Sequence, residues 1–355
     1  MDMAVLRWPA AQAYRALEIN RVCSGHCLLG QDRVAEEVPV ALEFNGVSHA
    51  VMMATPADLE DFAYGFATTE CIVDAASEIY DCESTSSSQG WTVHLTIAAS
   101  CFARLKEKRR NLIGRTGCGL CGTESLSHAV RQVRPLTANP CFDRAAVTLA
   151  VASFRAHQPL LAVTGATHAA AWCTADGCIG LIREDVGRHN ALDKLVGALL
   201  RARLDASRGF IIISSRASYE MVQKTATVGI AVLAAMSGVT GLAVDLAQDA
   251  GLTLLGFARG TDYSIYSHPE RLSLEKQMAP DVREDNLIRM ANQIGTFFDS
   301  MPDQKEAREG IAQHLKKFWD PRMRRNLMAR ADGPERAQFL EIVLLAVREH
   351  RDWIV

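Results

Sequence analysis

Between residues 160 and 257 short apolar runs alternate with helical stretches, and no other feature of the chain narrows its fold as much. The runs are Leu160–Val163, Ala169–Cys173, Ile179–Ile182, Phe210–Ser214, Ala231–Ala235 and Leu252–Phe257. The helical stretches are Arg188–Leu204, Ser218–Gly229 and Gly241–Gly251. Strands set among helices of this length specify a layered α/β sheet. The segment assigned to it is 159–272.

The 355 residues leave room for two or three domains at roughly 100–200 residues each. Residues 1–33 carry few regular signals and read as an irregular lead-in. Residues 34–158 read as an α+β subdomain. In it, apolar runs flank Asn45-Gly46, whose backbone suits the positive φ angles of a tight hairpin turn. A helix is then expected with Thr55 as N-cap and Pro56 at its first position. A second hairpin is expected across Glu78–Ala98, a basic helix across Ala103–Asn111 and another helix across Asp143–His157. Residues 273–285 read as a linker. Residues 286–355 hold no strand signal and form a small all-α appendage, with helices expected at Asn286–Phe298, Lys305–Phe318 and Gln338–Arg351.

A net charge of −3 gives no reason to expect a nucleic-acid partner. No run of 18 apolar residues suggests a membrane span, and the first residues lack the apolar core of a signal peptide. The expectation is a cytoplasmic protein whose ten cysteines stay reduced. The question is then which of the ten is chemically special.

Cys118-Gly119-Leu120-Cys121 is the one C-x-x-C in the chain, and it sits in a loop with four glycines within ten residues. Lys106, Lys108, Arg109, Arg110 and Arg115 could supply a field that lowers the thiol pKa. Four readings compete for the motif. A dithiol redox pair needs a strand-to-helix setting, against which the preceding basic helix argues. A zinc site needs a second pair, and only the Cys23/Cys27 pair, with C-x-x-x-C spacing, is at hand. A sulfur carrier needs an exposed, activated cysteine with a second thiol nearby, which the loop provides. An inert glycine turn is the fourth. The other eight cysteines are expected to be structural.

Polar clusters stand where strands give way to helices. Arg183-Glu184-Asp185-Val186-Gly187-Arg188-His189-Asn190 is one, and Ser214-Ser215-Arg216-Ala217-Ser218 is another. Free N–H groups at helix starts suit phosphate, and open α/β sheets bind ligands beyond the carboxyl ends of their strands. Solvated helix caps are the competing reading. Phe257-Ala258-Arg259-Gly260 ends a third strand in the same way. Neither helix start matches a P-loop. Lys224, two turns into its helix, reads as solvated. His168-Ala169-Ala170 lacks the glutamate of a zinc deaminase.

Five segments together closely resemble the FdhD/NarQ family of sulfur carriers required for formate dehydrogenase activity: 35–66, TGCGLCG at 116–122, REDVGRHNALDK at 183–194, SSRASYEMVQK at 214–224 and YSHPERL at 266–272. The resemblance implies an α/β fold layered like cytidine deaminase without its zinc site. It implies that a cysteine desulfurase supplies persulfide sulfur to the C-x-x-C loop. The sulfur then passes to the molybdenum bis(molybdopterin guanine dinucleotide) cofactor of formate dehydrogenase. By motif position Cys118 matches the persulfide-bearing cysteine and Cys121 its partner. The family's cofactor-contacting segment falls at Phe257, Ala258, Arg259, Gly260, Thr261 and Asp262, where a guanine nucleotide such as GDP could also sit. Asp262 departs from the pattern, since an arginine is common near that place and an acid repels phosphate. Position at the strand ends adds Arg188, His189, Ser214, Ser215 and Arg216 as expected cofactor contacts. The resemblance also suggests a homodimer.

The appendage has a resemblance of its own. NLIRMANQIGTFFDSMP (286–302) and IAQHLKKFWDPRMRR (311–325) look like the small delta subunit of NAD-dependent molybdenum formate dehydrogenases. Lys316–Arg330 holds six basic residues and one acid, a patch suited to docking on the catalytic subunit of the dehydrogenase. The chain therefore reads as a sulfurtransferase fused to a delta-like segment. The alternatives are a non-catalytic cofactor chaperone and an assembly subunit.

Overall fold

The computed structural model describes residues 12–113, 133–137, 139–273, 282–299, 303–319 and 321–354. The chain divides into two compact units, Met1–Leu274 and Glu275–Val355. Cys118 and Cys121 lie outside the described residues.

The expected irregular lead-in is instead an antiparallel hairpin, β1 (Tyr14–Cys23) and β2 (His26–Ala35). Ser24 and Gly25 turn it with φ angles of 50° and 83°. It escaped the sequence reading because both faces meet solvent: Val22, Leu28 and Leu29 are exposed, the last 86%. No alternation of apolar and polar residues marks a strand that buries neither face.

The next hairpin does show that alternation. In β3 (Val38–Phe44) the residues Val38, Val40, Leu42 and Phe44 are fully buried. The strand pairs with β4 (Val47–Ala54) across Asn45 and Gly46, both at positive φ as the dipeptide predicts. Helix α1 (Leu59–Thr69) follows. Strands β5 (Ile79–Ser87) and β6 (Gly90–Ile97) complete a four-stranded sheet in the order β4-β3-β6-β5. Phe62, Ala63 and Phe66 of α1 close the core over it. Thr55 does not cap α1, whose N-cap is Asp58 in a left-handed conformation. The backbone and hydroxyl of Thr55 are engaged elsewhere, as described below.

Helix α2 (Ala99–Ile113) is the last element before residues 114–132, which lie outside the described residues. The chain returns through β7 (Phe142–Asp143) and α3 (Arg144–Phe154), which Asp143 caps by accepting a hydrogen bond from the amide of Ala145. The run expected as a strand at Leu160–Val163 is helix α4 (Pro159–Thr164). Pro159 starts it, Gly165 ends it at φ 67°, and the Glu184 carboxylate accepts the free amides of Leu160 and Leu161. A distant carboxylate thus caps a segment whose composition alone suggested a strand.

The central sheet contains β8 (His168–Cys173), β9 (Ile179–Asp185), β10 (Phe210–Ile213), β11 (Val232–Ala235), β12 (Thr253–Arg259) and β13 (Asp262–Ser267), in the order β13-β12-β11-β10-β8-β9. The three middle strands, β12, β11 and β10, run parallel, and β8 and β13 flank them antiparallel. Strand β13 has no counterpart in the sequence reading. It alternates exposed and half-buried positions at the sheet margin and follows a tight turn at Gly260, φ 58°. Both faces are covered, which is why runs such as Phe210–Ile213 are apolar throughout. Helices α5 (Arg188–Arg201), α6 (Tyr219–Thr227) and α7 (Gly241–Ala250) pack one face. Val147, Val151 and Phe154 of α3 pack the other.

The second unit is helical: α8 (Val282–Asp299), α9 (Gln304–Phe318), α10 (Pro321–Ala331), α11 (Glu341–Glu349) and α12 (Arg351–Ile354). Helix α8 begins inside the segment expected as a linker, and α10 was not expected. Asp303 caps α9 through the amides of Lys305 and Glu306. Ile311, Leu315, Trp319, Leu327 and Val343 build the core. Among the described residues no helix is long and apolar enough to cross a membrane.

Candidate functional site

Strand polarity places the expected contacts on one edge of the central sheet. Strands β10, β11 and β12 end there, β9 delivers Asp185 there, and β8 and β13 begin there with His168 and Asp262. Successive loops are tied together just beyond the strands. The amide of Ser214 donates to the Ala169 carbonyl, that of Ala217 to the Gly238 carbonyl and that of Phe257 to the Ser237 carbonyl.

Helices α5 and α6 both present their N-termini at this edge, bringing unpaired amides and the positive end of the helix dipole. His189, on the first turn of α5, places Nε2 2.5 Å from Oε2 of Glu220 on the first turn of α6. Nδ1 of His168 lies 3.3 Å from the Ser214 hydroxyl oxygen, which also accepts from the amide of Ala169. The Ser218 hydroxyl at the start of α6 is buried without a hydrogen-bond partner among the described residues. Burial lowers the pKa of both histidines, helped at His168 by the charge of Arg188 and opposed at His189 by Glu220. Both therefore favour the neutral imidazole, which offers one donor and one acceptor.

Of the expected contacts, Arg188, His189 and Ser214 gather in this cluster. Ser215 is buried and its hydroxyl donates to the carbonyl of Arg216, so it is occupied locally, while Arg216 is exposed. Phe257–Asp262 occupies the same edge farther along. Phe257 is 49% exposed at φ 54°, an unusual backbone setting for a bulky residue. The Nε of Arg259 reaches the Met236 carbonyl, and the Thr261 hydroxyl reaches the Asp262 carboxylate. Sequence reasoning did not assign His168 or Glu220 to a site, and it named Ser218 only within the cluster 214–218, not as a contact. Glu220 had a legible signal, since it follows a serine-rich strand end by two residues.

Most of the conspicuous polar segment 183–194 faces the other way, into a seam with α1. Asp185 and Lys194 form a fully buried ion pair at 2.6 Å. Asp185 also accepts from the amides of Thr55 and Gly187 and from the Asn190 side chain, and Lys194 donates to the Thr55 carbonyl. The Thr55 hydroxyl accepts from the amide of Val186. Arg183 and Arg201 both bind Asp61 of α1. Lys224, expected in solvent, is buried: its ammonium bonds Asp193, Glu70 and the Thr69 hydroxyl. Burial opposes that charge, but Asp193 and Glu70 outweigh it and hold the lysine pKa above its ordinary value.

Two glycines let α1 and α5 approach so closely. A Cβ on Gly65 would lie 1.7 Å from the Asp193 carbonyl oxygen, and one on Gly197 would lie 1.8 Å from that of Asp61.

The described cysteines differ in reactivity. Burial pushes the thiols of Cys82 and Cys173 up to about 12 and raises that of Cys101, while Asp176 raises that of Cys178. These four are held as thiols and are weak nucleophiles. Cys23 pairs across β1–β2 with His26, and Cys27 pairs with Val22, so their sulfurs leave opposite faces of the ribbon.

Residues 35–273 match the model of the FdhD/NarQ family. The chain belongs to the FdhD/NarQ family. Residues 286–347 match the model described as NADH-dependent formate dehydrogenase delta subunit FdsD. The chain is 53% identical over 261 residues to the sulfur carrier protein FdhD of Cupriavidus necator, covering 74% of this chain and 91% of that one. It is 56% identical over 243 residues to the protein of the same name from Variovorax paradoxus, covering 68% and 87%. A crystal structure described as a formate dehydrogenase accessory protein from Desulfotalea psychrophila superposes with a TM-score of 0.61 at 23% identity, covering 74% of this chain and all of that one. That likeness speaks to the fold. The family match ends at the boundary of the α/β unit, and the delta-subunit match lies within the helical one.

Proposed function

We propose that this chain is a sulfur carrier for formate dehydrogenase, with its delta-like unit docking on the catalytic subunit. The observation that carries the reading is the identity of 53% and 56% to proteins named as sulfur carriers, over most of their length. The joining of a delta-subunit match to a family match in one chain adds to it.

In this reading a cysteine desulfurase presents a persulfide. The Cys118 thiolate attacks its terminal sulfur, the desulfurase thiolate leaves, and Cys118 holds the sulfur as a persulfide with Cys121 as its partner. The acceptor is the molybdenum bis(molybdopterin guanine dinucleotide) cofactor, bound as cargo. Its pyrophosphates are suited to the helix N-termini at Arg188 and Ser218, and its guanines to neutral His168 and His189 and to the Phe257–Asp262 edge. GDP would occupy part of the same site. Layering like a zinc-free cytidine deaminase and a homodimeric state belong to the same proposal. A covalent tether between carrier and docking unit raises the effective concentration at handover.

Mass spectrometry of the 114–132 peptide after incubation with a cysteine desulfurase and cysteine tests it. One added sulfur atom on Cys118, lost in Cys118→Ala, is the expected result. Restored formate dehydrogenase activity from a chain lacking both cysteines would favour a non-catalytic cofactor chaperone. Normal sulfur loading but no dehydrogenase activity in a chain ended at 274 would assign docking to the second unit.

A further inference from the structure

The tip of the β1–β2 ribbon carries donors that the sulfur-carrier reading leaves unused. Cys23 and His26 stand on either side of its two-residue turn and are direct cross-strand partners. Residues opposed in this way put their side chains on one face, with Cβ atoms about 4.5–5.5 Å apart. Ser24 and Gly25, both at positive φ, close the turn between them. Both residues are exposed, and Cys23 is a free thiol. Among the described residues neither side chain has a hydrogen bond or an ion pair.

Cys23 and Cys27, the pair that spacing alone suggests, cannot share a ligand. Cys27 stands opposite Val22 on the other face, where its thiol donates to the Asn20 side-chain oxygen, 3.8 Å away. The usable spacing is therefore C-x-x-H across a tight turn.

A thiolate and an imidazole so placed suit zinc. A tetrahedral ion with Zn–S of about 2.3 Å and Zn–N of about 2.0–2.1 Å wants the two donors about 3.6 Å apart. Cβ atoms at the cross-strand distance allow that. Arg21, two residues along on the same face, favours the thiolate. Structural zinc takes four ligands, however, and among the described residues no third histidine, cysteine or carboxylate joins the pair. A second copy of the chain brings the same pair. Turned about a twofold axis at the ribbon tip, it completes a Cys2His2 set through a contact that closes at two chains. The two thiolates cancel the charge of the ion, so apolar side chains can pack around it. Leu28, 56% exposed in the single chain, and Ile19 lie on that face and are covered by such a contact.

We propose that Cys23 and His26 form half of a zinc site that a second copy completes, so that zinc joins two chains through their ribbon tips. The site goes beyond the sulfur-carrier reading and uses none of the residues assigned there.

The test uses the full chain, kept reduced and stripped of metal by a chelator. Cobalt(II) chloride serves as the absorbing probe, and zinc chloride is added in sedimentation velocity. The expected result is thiolate-to-cobalt absorption from one ion per two chains, absent in Cys23→Ser. Zinc should also double the sedimenting mass, and the chelator should reverse it. Cys23→Ser and His26→Ala should each weaken both effects by about tenfold or more, whereas Cys27→Ser should match the parent. All three substitutions fall on an exposed ribbon tip, away from the buried cores. A loss of one ion per chain in Cys23→Ser would overturn the proposal, as would an unchanged mass at saturating zinc. Metal uptake that survives Cys23→Ser and disappears in Cys118→Ser would place the ion on the C-x-x-C loop instead. An equal loss in Cys27→Ser would also sink the idea, by putting both ribbon sulfurs on one ion.

Discussion

Two polar zones meet on helix α5, and they differ in how completely their groups are satisfied. In the seam with α1, Asp185, Asn190, Asp193, Lys194 and Lys224 each find two or more partners, and none of them reaches solvent appreciably. At the sheet edge, His168 and His189 are half-buried and the Ser218 hydroxyl has no partner among the described residues. The same side-chain chemistry therefore serves two ends. A saturated cluster joins the two halves of the α/β unit, whereas an unsaturated one leaves groups available to a ligand. The contrast makes most of segment 183–194 architecture, and only Arg188 and His189 within it candidates for contact.

Breaking the seam should cost most. Lys194→Met leaves Asp185 buried without its counter-charge and should destabilise the α/β unit by about 3–5 kcal/mol, read from urea unfolding midpoints. Adding Asp185→Asn should recover part of that loss, because no charge is then stranded. Gly65→Ala should cost about 1–3 kcal/mol or more by forcing α1 off α5. A variant as stable as the parent would mean that the helices can separate freely.

Titration separates the zones next. Both histidines have folded-state pKa values below the unfolded value of about 6.5. Below that pH the unfolded chain binds protons that the folded chain resists, so stability rises with pH there. The contribution is fully present above about pH 6.5 and is lost as pH falls through the window beneath it. A His168→Gln/His189→Gln double variant should flatten that part of the curve, and an unchanged slope would remove the histidines from this account. The smallest stability effect is expected from Glu220→Gln, within about 0.5 kcal/mol, yet by removing a negative charge beside the α6 N-terminus it should tighten GDP binding measured by calorimetry if the edge is the nucleotide site.

Legibility followed the same division. The β3–β4 hairpin was readable because Asn45-Gly46 and the alternation from Val38 to Phe44 are local signals. Helices α5, α6 and α7 were readable from period and glycine stops. Lys224 was not, because its partners Glu70 and Asp193 are 154 and 31 residues away. Thr55 was misread as a cap for a similar reason, since its amide is claimed by Asp185 across 130 residues. Leu160–Val163 looked like a strand until Glu184 supplied a helix cap. At the candidate site, the strand-end rule pointed to Arg188, His189 and Ser214, which the fold gathers at one edge, but not to the pairing of His189 with Glu220, which depends on two helix starts converging in space.

The β1–β2 ribbon has a colloidal consequence. Among the described residues each of its strands pairs only with the other, leaving one row of backbone donors and acceptors open on either margin. Such margins invite further strands from neighbouring molecules. Arg15, Glu18, Arg21, Asp32 and Arg33 punctuate them with charge, so the ribbon can stay long and exposed in a concentrated solution without seeding a growing sheet.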